Sequence, residues 1–218
     1  MKPDARELRE KITGAGLMLP ETLTLMITDA CNLICPHCLL DCKNIKGKSV
    51  HIDIITSIID EFSGLGGRRL LITGGEPLLQ REELHHLLTL LKDFSPSMKI
   101  TIETNGSFVV PIKWPVDCWV VDYKLRSSGQ KHKMWIYDRN FLKLRKQDFI
   151  KFVIGSYDDY DDAIHIMESF IEEGCRCRFA FSPILSEFSA ERLINRLSFD
   201  ELFNVIVNIQ IHKLIDVP

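Results

Sequence analysis

Cys31-Asn32-Leu33-Ile34-Cys35-Pro36-His37-Cys38 sets three thiols within eight residues, at C-x3-C-x2-C spacing. Thiolates bind soft metals, zinc or the irons of a sulfide cluster, and a tight loop can wrap three of them round one centre. Three protein ligands on a four-iron cluster leave one iron open, and an open position is what catalysis at a metal needs. The alternative is a closed zinc or iron–sulfur site in which Cys42 supplies a fourth thiolate. Three further clusters carry polar residues and glycines: Gly74-Gly75-Glu76-Pro77, Glu103-Thr104-Asn105-Gly106 and Asp122-Tyr123-Lys124.

These clusters need elements to hold them, and the sequence supplies a repeating one. Apolar runs of strand type cover 23–28, 69–73, 99–103, 117–122, 148–154, 176–181 and 204–209, while helical periodicity covers 52–62, 81–94, 157–173 and 190–197. Strand and helix in alternation imply an α/β fold with a mostly parallel sheet and right-handed crossovers. The chain is shorter than the roughly 250 residues of a complete eight-stranded barrel, so a partial, open TIM-like barrel of about six strands is expected, as a single domain over 1–218. Ligands collect at the carboxyl ends of such strands, and all four clusters follow predicted strands.

Composition sets outer limits. With 218 residues, 45% of them hydrophobic, and a net charge of -3, the chain can build a sizeable core, and nothing global points to nucleic acid. No run approaches the roughly 18 apolar residues of a membrane span. Met1 to Lys11 is charged, with no apolar signal core behind it, so the expected location is the cytoplasm. In that reducing compartment seven cysteines argue for metal or catalysis rather than disulfides. Cys175 and Cys177 read as buried reduced thiols. Lys124 to Lys146 holds eight lysines and arginines against one acid, Asp138, and reads as a solvated loop. Asp158, Asp159, Asp161 and Asp162 read as acids favoured at a helix start.

The cysteine spacing after the first strand, with Gly74-Gly75-Glu76-Pro77 after the second, resembles the radical S-adenosylmethionine (SAM) superfamily. That resemblance implies a 4Fe–4S cluster on Cys31, Cys35 and Cys38, with the amine and carboxylate of SAM on the open iron. It also implies one-electron cleavage of SAM to methionine and a 5′-deoxyadenosyl radical, with a reductant such as flavodoxin or ferredoxin. Gly74, Gly75, Glu76 and Pro77 would then lie against the amino acid part of SAM. Glu103, Thr104 and Asn105 would offer hydrogen bonds to its ribose or amino acid, and Asp122 and Lys124 would meet its two charges. His37 stands where the superfamily usually has an aromatic residue near the adenine.

The later segments Ser127-Ser128-Gly129, Ile150 to Ile154 with Tyr157 to Tyr160, Phe181-Ser182-Pro183 and Gln210 to Lys213 resemble the 7-carboxy-7-deazaguanine synthases. The resemblance runs from about Gly14 to Pro218. It implies ring contraction of 6-carboxy-5,6,7,8-tetrahydropterin with loss of ammonia, in queuosine and related biosynthesis, by a homodimer that often uses Mg2+. Gly14, His212 and the carboxylate of Pro218 are the implied substrate contacts. The chain departs from that pattern at Thr13 and Ala15, in place of a glutamine and a glutamate, and at Ile27, in place of an arginine. Leu39-Leu40 replace the Asp-Thr that serves Mg2+, so the implied cation lacks its ligand there. The competing functions are a glycyl-radical activase or peptide-modifying radical enzyme, and a non-catalytic four-cysteine metal protein.

Overall fold

The structure, a computed structural model, describes residues 5–16, 18–38, 40–42, 44–134 and 138–209. Among them are seven strands: β1 (Thr22–Met26), β2 (Arg69–Thr73), β3 (Lys99–Thr104), β4 (Cys118–Tyr123), β5 (Phe149–Ile154), β6 (Arg178–Pro183) and β7 (Ile206–Val207). Their order in the sheet is their order in the sequence, and the sheet does not close. The register pairings of β1 with β2, β2 with β3, β4 with β5, β5 with β6 and β6 with β7 are all parallel. The expected α/β class, with an open parallel sheet, is what is found; seven strands replace the expected six or so.

The helices are α1 (Ala5–Gly14), α2 (Ile52–Gly64), α3 (Arg81–Phe94), α4 (Asp138–Phe141), α5 (Tyr157–Glu172) and α6 (Ala190–Phe199). α1 was not foreseen from its charged sequence. The last strand is two residues long, against a predicted span of 204–209, because Val205 N–H turns back to the Leu202 carbonyl before pairing can begin.

The described residues fall into two compact units, one from 5–32, 44–103 and 113–118, the other from 33–42, 104–112 and 119–209. In the first, α3 turns Leu84, Leu87, Leu88 and Leu91 inward at three- and four-residue spacing, and α2 does the same with Ile55, Ile59 and Phe62. Leu70, Ile72, Ile100 and Ile102 of β2 and β3 are fully buried on the helix-covered face. In the second, Tyr160, Ala163, Met167 and Phe170 of α5 are buried, as are Trp119, Val121, Ile150 and Phe152 of β4 and β5. Each large side chain buried in this way contributes about 1.5–3 kcal/mol. The period of two then puts Thr73, Glu103, Asp122 and Lys151 on the opposite, partly open faces of their strands.

Start positions are fixed by caps. The Ser156 hydroxyl accepts from Asp159 N–H at the start of α5, and Ser189 does the same for Arg192 N–H at α6. Asp148, wholly buried just before β5, accepts from Trp119 N–H at 2.9 Å, Arg145 N–H at 2.7 Å, and Nε and Nη2 of Arg145 at 2.9 Å each. That carboxylate joins the start of β4 to the turn entering β5. Asp148→Ala should lower stability by about 3–5 kcal/mol in urea unfolding, since it strands buried donors. A loss below about 1 kcal/mol would mean that the network contributes little.

Candidate functional site

In the first unit, β1 runs into Thr28-Asp29-Ala30-Cys31. Thr28 Oγ1 donates to the Lys48 carbonyl at 3.0 Å and accepts from Ala30 N–H at 3.0 Å. Cys31 N–H donates to the Asn44 carbonyl at 3.0 Å, and Asp29 Oδ1 accepts from Lys48 N–H. The turn after β2 closes on this segment: Gly75 N–H donates to the Thr28 carbonyl and Glu76 N–H to the Ala30 carbonyl, both at 2.7 Å. A Cβ on Gly74, whose φ is +135°, would strike the Thr28 carbonyl, and one on Gly75 would strike that of Ala30. The two glycines are therefore required by the backbone that leads into the first cysteine.

Glu76 is wholly buried, and its Oε1 accepts from Leu78 N–H at 2.9 Å, capping the 3₁₀ turn Pro77–Gln80 that precedes α3. The sequence places this carboxylate against the cofactor; the structure gives it a capping bond. Glu103, on the open face of β3, accepts from the Thr73 hydroxyl at 3.3 Å. Gly14 ends α1 and is exposed, as are Thr13 and Ala15. Ile27 is buried, 4% exposed, where the resemblance implies an arginine.

In the second unit, Cys35 and Cys42 are buried and Cys38 is partly so. Cys38 N–H donates to the Cys35 carbonyl at 3.1 Å, turning the chain between them. Asp122, near the end of β4, lies between two ammonium groups: Lys124 Nζ is 2.6 Å from Oδ2 and Lys151 Nζ is 3.0 Å from Oδ1. Burial pushes the Asp122 carboxyl up, but Lys124 and Lys151 outweigh it and bring the pKa down to about 2. Burial likewise pushes Lys124 down, and Asp122 and then Cys35 outweigh it and hold it above the ordinary lysine value. His37 is held below the ordinary histidine value by burial and then by Lys124, against Asp122, Glu187 and Asp159. A neutral imidazole face is suited to stacking.

Thr104 and Asn105 are buried, and Asn105 Oδ1 accepts from Ser107 N–H at 2.9 Å and Oγ at 2.6 Å. Gly106, at φ +78°, lets this turn approach the Asp122 carbonyl, which a Cβ would strike. His212 and Pro218 lie outside the described residues.

Two neighbours of the site escaped the sequence reading. Lys151 faces Asp122 because β5 pairs with β4 in that register, a relation that no spacing along the chain displays. Glu187 stands beside Gly155, where a Cβ would lie 2.9 Å from its Oε2. The basic stretch is exposed at Arg126, Lys133, Lys143 and Lys146, as expected of a solvated loop, but is tied down elsewhere: Lys131 pairs with Asp162 at 2.6 Å, and Asp159 accepts from Ser127 N–H. Two of the helix-start acids thus bind the loop as well as suiting the dipole.

An open parallel sheet with these clusters at its strand ends defines a class. The radical SAM superfamily matches residues 25–113. The chain is 32% identical over 209 residues to a 7-carboxy-7-deazaguanine synthase of Clostridium acetobutylicum, covering 94% of this chain and 91% of that one. It is 28% identical over 214 residues to the synthase of Thermoplasma acidophilum, covering 97% of each. The chain therefore belongs to the radical SAM superfamily and, within it, to the family of 7-carboxy-7-deazaguanine synthases. Streptococcus suis SuiB bound to precursor peptide SuiA shares the fold, with a TM-score of 0.65 at 17% identity over 91% of this chain. This chain spans about half of that one, 51%.

The residues fit the cofactors that the family implies in donor chemistry: three thiols outside any disulfide, and a charged group at Asp122, Lys124 and Lys151 suited to an amino acid's ends. Among the described residues, no group of three or more His, Cys, Asp or Glu side chains is arranged to hold a metal ion. The fit is thus one of donor type and spacing.

Gly75→Ala should cost about 1–3 kcal/mol in thermal unfolding, because the backbone must shift to admit the methyl group. An unchanged midpoint would show that the turn has room. Asp122 supplies a pH signature. Its folded pKa lies below the unfolded one, so its contribution is complete above about pH 4 and is lost as pH falls towards 2. Lys151→Met should move the acid limb of unfolding, followed by circular dichroism, to higher pH; a limb that stays in place would deny Lys151 this role.

Proposed function

We propose that this chain is a radical SAM enzyme of the 7-carboxy-7-deazaguanine synthase type, acting on a small nitrogen heterocycle. The identity to the Clostridium synthase over 94% of the chain carries the reading. It is supported by the match of the superfamily to the region holding the cysteine and Gly-Gly-Glu-Pro clusters.

When bound, a 4Fe–4S cluster with SAM supplies one-electron reductive cleavage of the sulfonium and hence hydrogen abstraction from the substrate. Cys31, Cys35 and Cys38 would hold that cluster. Lys124 and Asp122 would bind the carboxylate and ammonium of the SAM amino acid, with Lys151 keeping Asp122 ionised and in place. The uncharged ring of His37 would stack on the adenine, and Asn105 and Glu103 would accept or donate around the ribose. The reaction would be the ring contraction of 6-carboxy-5,6,7,8-tetrahydropterin to 7-carboxy-7-deazaguanine with loss of ammonia.

Ile27 qualifies the substrate. An arginine at that position would offer a fork to a carboxylate, and a buried isoleucine offers only hydrocarbon. Thr13 and Ala15 likewise lack the amide and carboxylate that the family uses. Substrate anchoring would then come from other residues, for which Gly14, His212 and Pro218 are the candidates. A relative that accepts a different small substrate is the second reading, and this loss of polar groups is what favours it.

The deciding experiment is anaerobic reconstitution with iron and sulfide, followed by reduction in the presence of SAM and carboxytetrahydropterin. Formation of 5′-deoxyadenosine with deazaguanine product establishes the proposed reaction. 5′-Deoxyadenosine without that product establishes the second reading, and no SAM cleavage by a fully loaded protein overturns both. Cys42→Ser should leave the loaded cluster's iron content unchanged, whereas a four-thiolate site would lose it.

A further inference from the structure

Cys175-Arg176-Cys177 lies between α5 and β6 and has no part in the site above. The two Sγ atoms are 3.2 Å apart. Sulfurs sharing a tetrahedral zinc stand about 3.8 Å apart, from bonds of about 2.3 Å. A disulfide bond is about 2.05 Å, so closing this pair takes a movement of about 1.2 Å. The spacing lies on the disulfide side of a metal pair.

Access is unequal: Cys177 is buried and Cys175 is partly exposed. The backbone is held at both ends, by Cys175 N–H to the Phe170 carbonyl at 2.8 Å and Arg178 N–H to the Asp148 carbonyl at 3.0 Å. Asp122 pairs in register with Lys151, and Lys151 with Ala180. Cys177 is three residues before Ala180, hence about 10 Å towards the amino ends of the strands from the Asp122 level.

We propose that Cys175 and Cys177 form a redox-active dithiol that exchanges with low-molecular-weight disulfides of the glutathione class, Cys175 attacking and Cys177 resolving. The Cys175 thiolate attacks one sulfur of the small disulfide, forming a mixed disulfide and expelling a thiolate. That thiolate takes the Cys177 proton, and Cys177 sulfur then attacks Cys175 sulfur and expels the second half as a thiolate, which is protonated by solvent. Two cysteine thiols are oxidised to one intrachain disulfide, and one small disulfide is reduced to two thiols. The hydrogen bond from Cys177, ahead of the opposing effect of burial, brings the Cys175 thiol down to about 7, and the same bond pushes Cys177 up.

The test uses the full-length protein, purified anaerobically and incubated with oxidised glutathione, then alkylated and digested with trypsin. Trypsin cuts after Arg176, so the proposed bond leaves peptide 152–176 joined to the dipeptide 177–178. Recovery of that linked pair is the expected result. A lasting glutathione adduct on Cys175, a link to any other cysteine, or two fully alkylated thiols would overturn the proposal. In Cys177→Ala the Cys175 adduct should accumulate, and Cys175 should react with iodoacetamide at pH 7 about fivefold more slowly than in the parent protein. Equal rates would remove Cys177 from the role given to it. Should that variant fail to fold, the linked peptide in the parent protein decides alone.

Discussion

Two short backbone hydrogen bonds, from Gly75 and Glu76 to the carbonyls of Thr28 and Ala30, govern how the first unit presents its chemistry. They require the turn after β2 to lie directly on the segment that delivers Cys31. Only residues without a Cβ allow that approach, which is why two glycines stand together there. The same turn ends in Glu76, whose buried carboxylate starts the 3₁₀ turn before α3, and α3 fills much of the hydrophobic core of that unit. A local steric condition thus couples the approach to the cysteine loop, the second strand and the main covering helix.

The second unit solves a different problem, the burial of charge. Asp122, Lys124 and Lys151 are each mostly withdrawn from water, and each alone would be costly there. Together they satisfy one another, with two cations about a single carboxylate. By themselves these three groups carry a net positive charge, which matches a ligand bearing a carboxylate. Asp148 does comparable work for the backbone, gathering an arginine and two amide groups at the far ends of β4 and β5. The charged groups that look alike in the sequence therefore divide into one set that pairs late in β4 and within β5 and one carboxylate that binds backbone at their starts.

Much of this was legible from residue types. Alternating strand and helix patterns gave the fold class, because strands joined through amphipathic helices pair in parallel with the helices packed on the sheet. The superfamily was legible because the cysteine spacing and Gly74-Gly75-Glu76-Pro77 each follow a strand, inside the region that the superfamily matches. Glu76 shows the limit: its place beside two glycines gives no sign of the cap that its Oε1 provides to Leu78 N–H. Lys151 and Glu187 were missed because their relevance arises from strand register and from a turn closing on Gly155. The charged α1 was missed because few of its residues are apolar, although Leu8 and Ile12 stand four apart, and Cys175 with Cys177, read as two thiols on one strand face, gave the right burial for one thiol but not their 3.2 Å approach.

Ile27 links specificity to folding. Its side chain belongs to the core, and the backbone of Ile27 is bonded on both sides, to Thr73 and Val50. An arginine at this buried position would have to give up the solvation of its guanidinium. Ile27→Arg would therefore cost stability, so the side chain at this position is constrained by the core whatever ligand the chain takes.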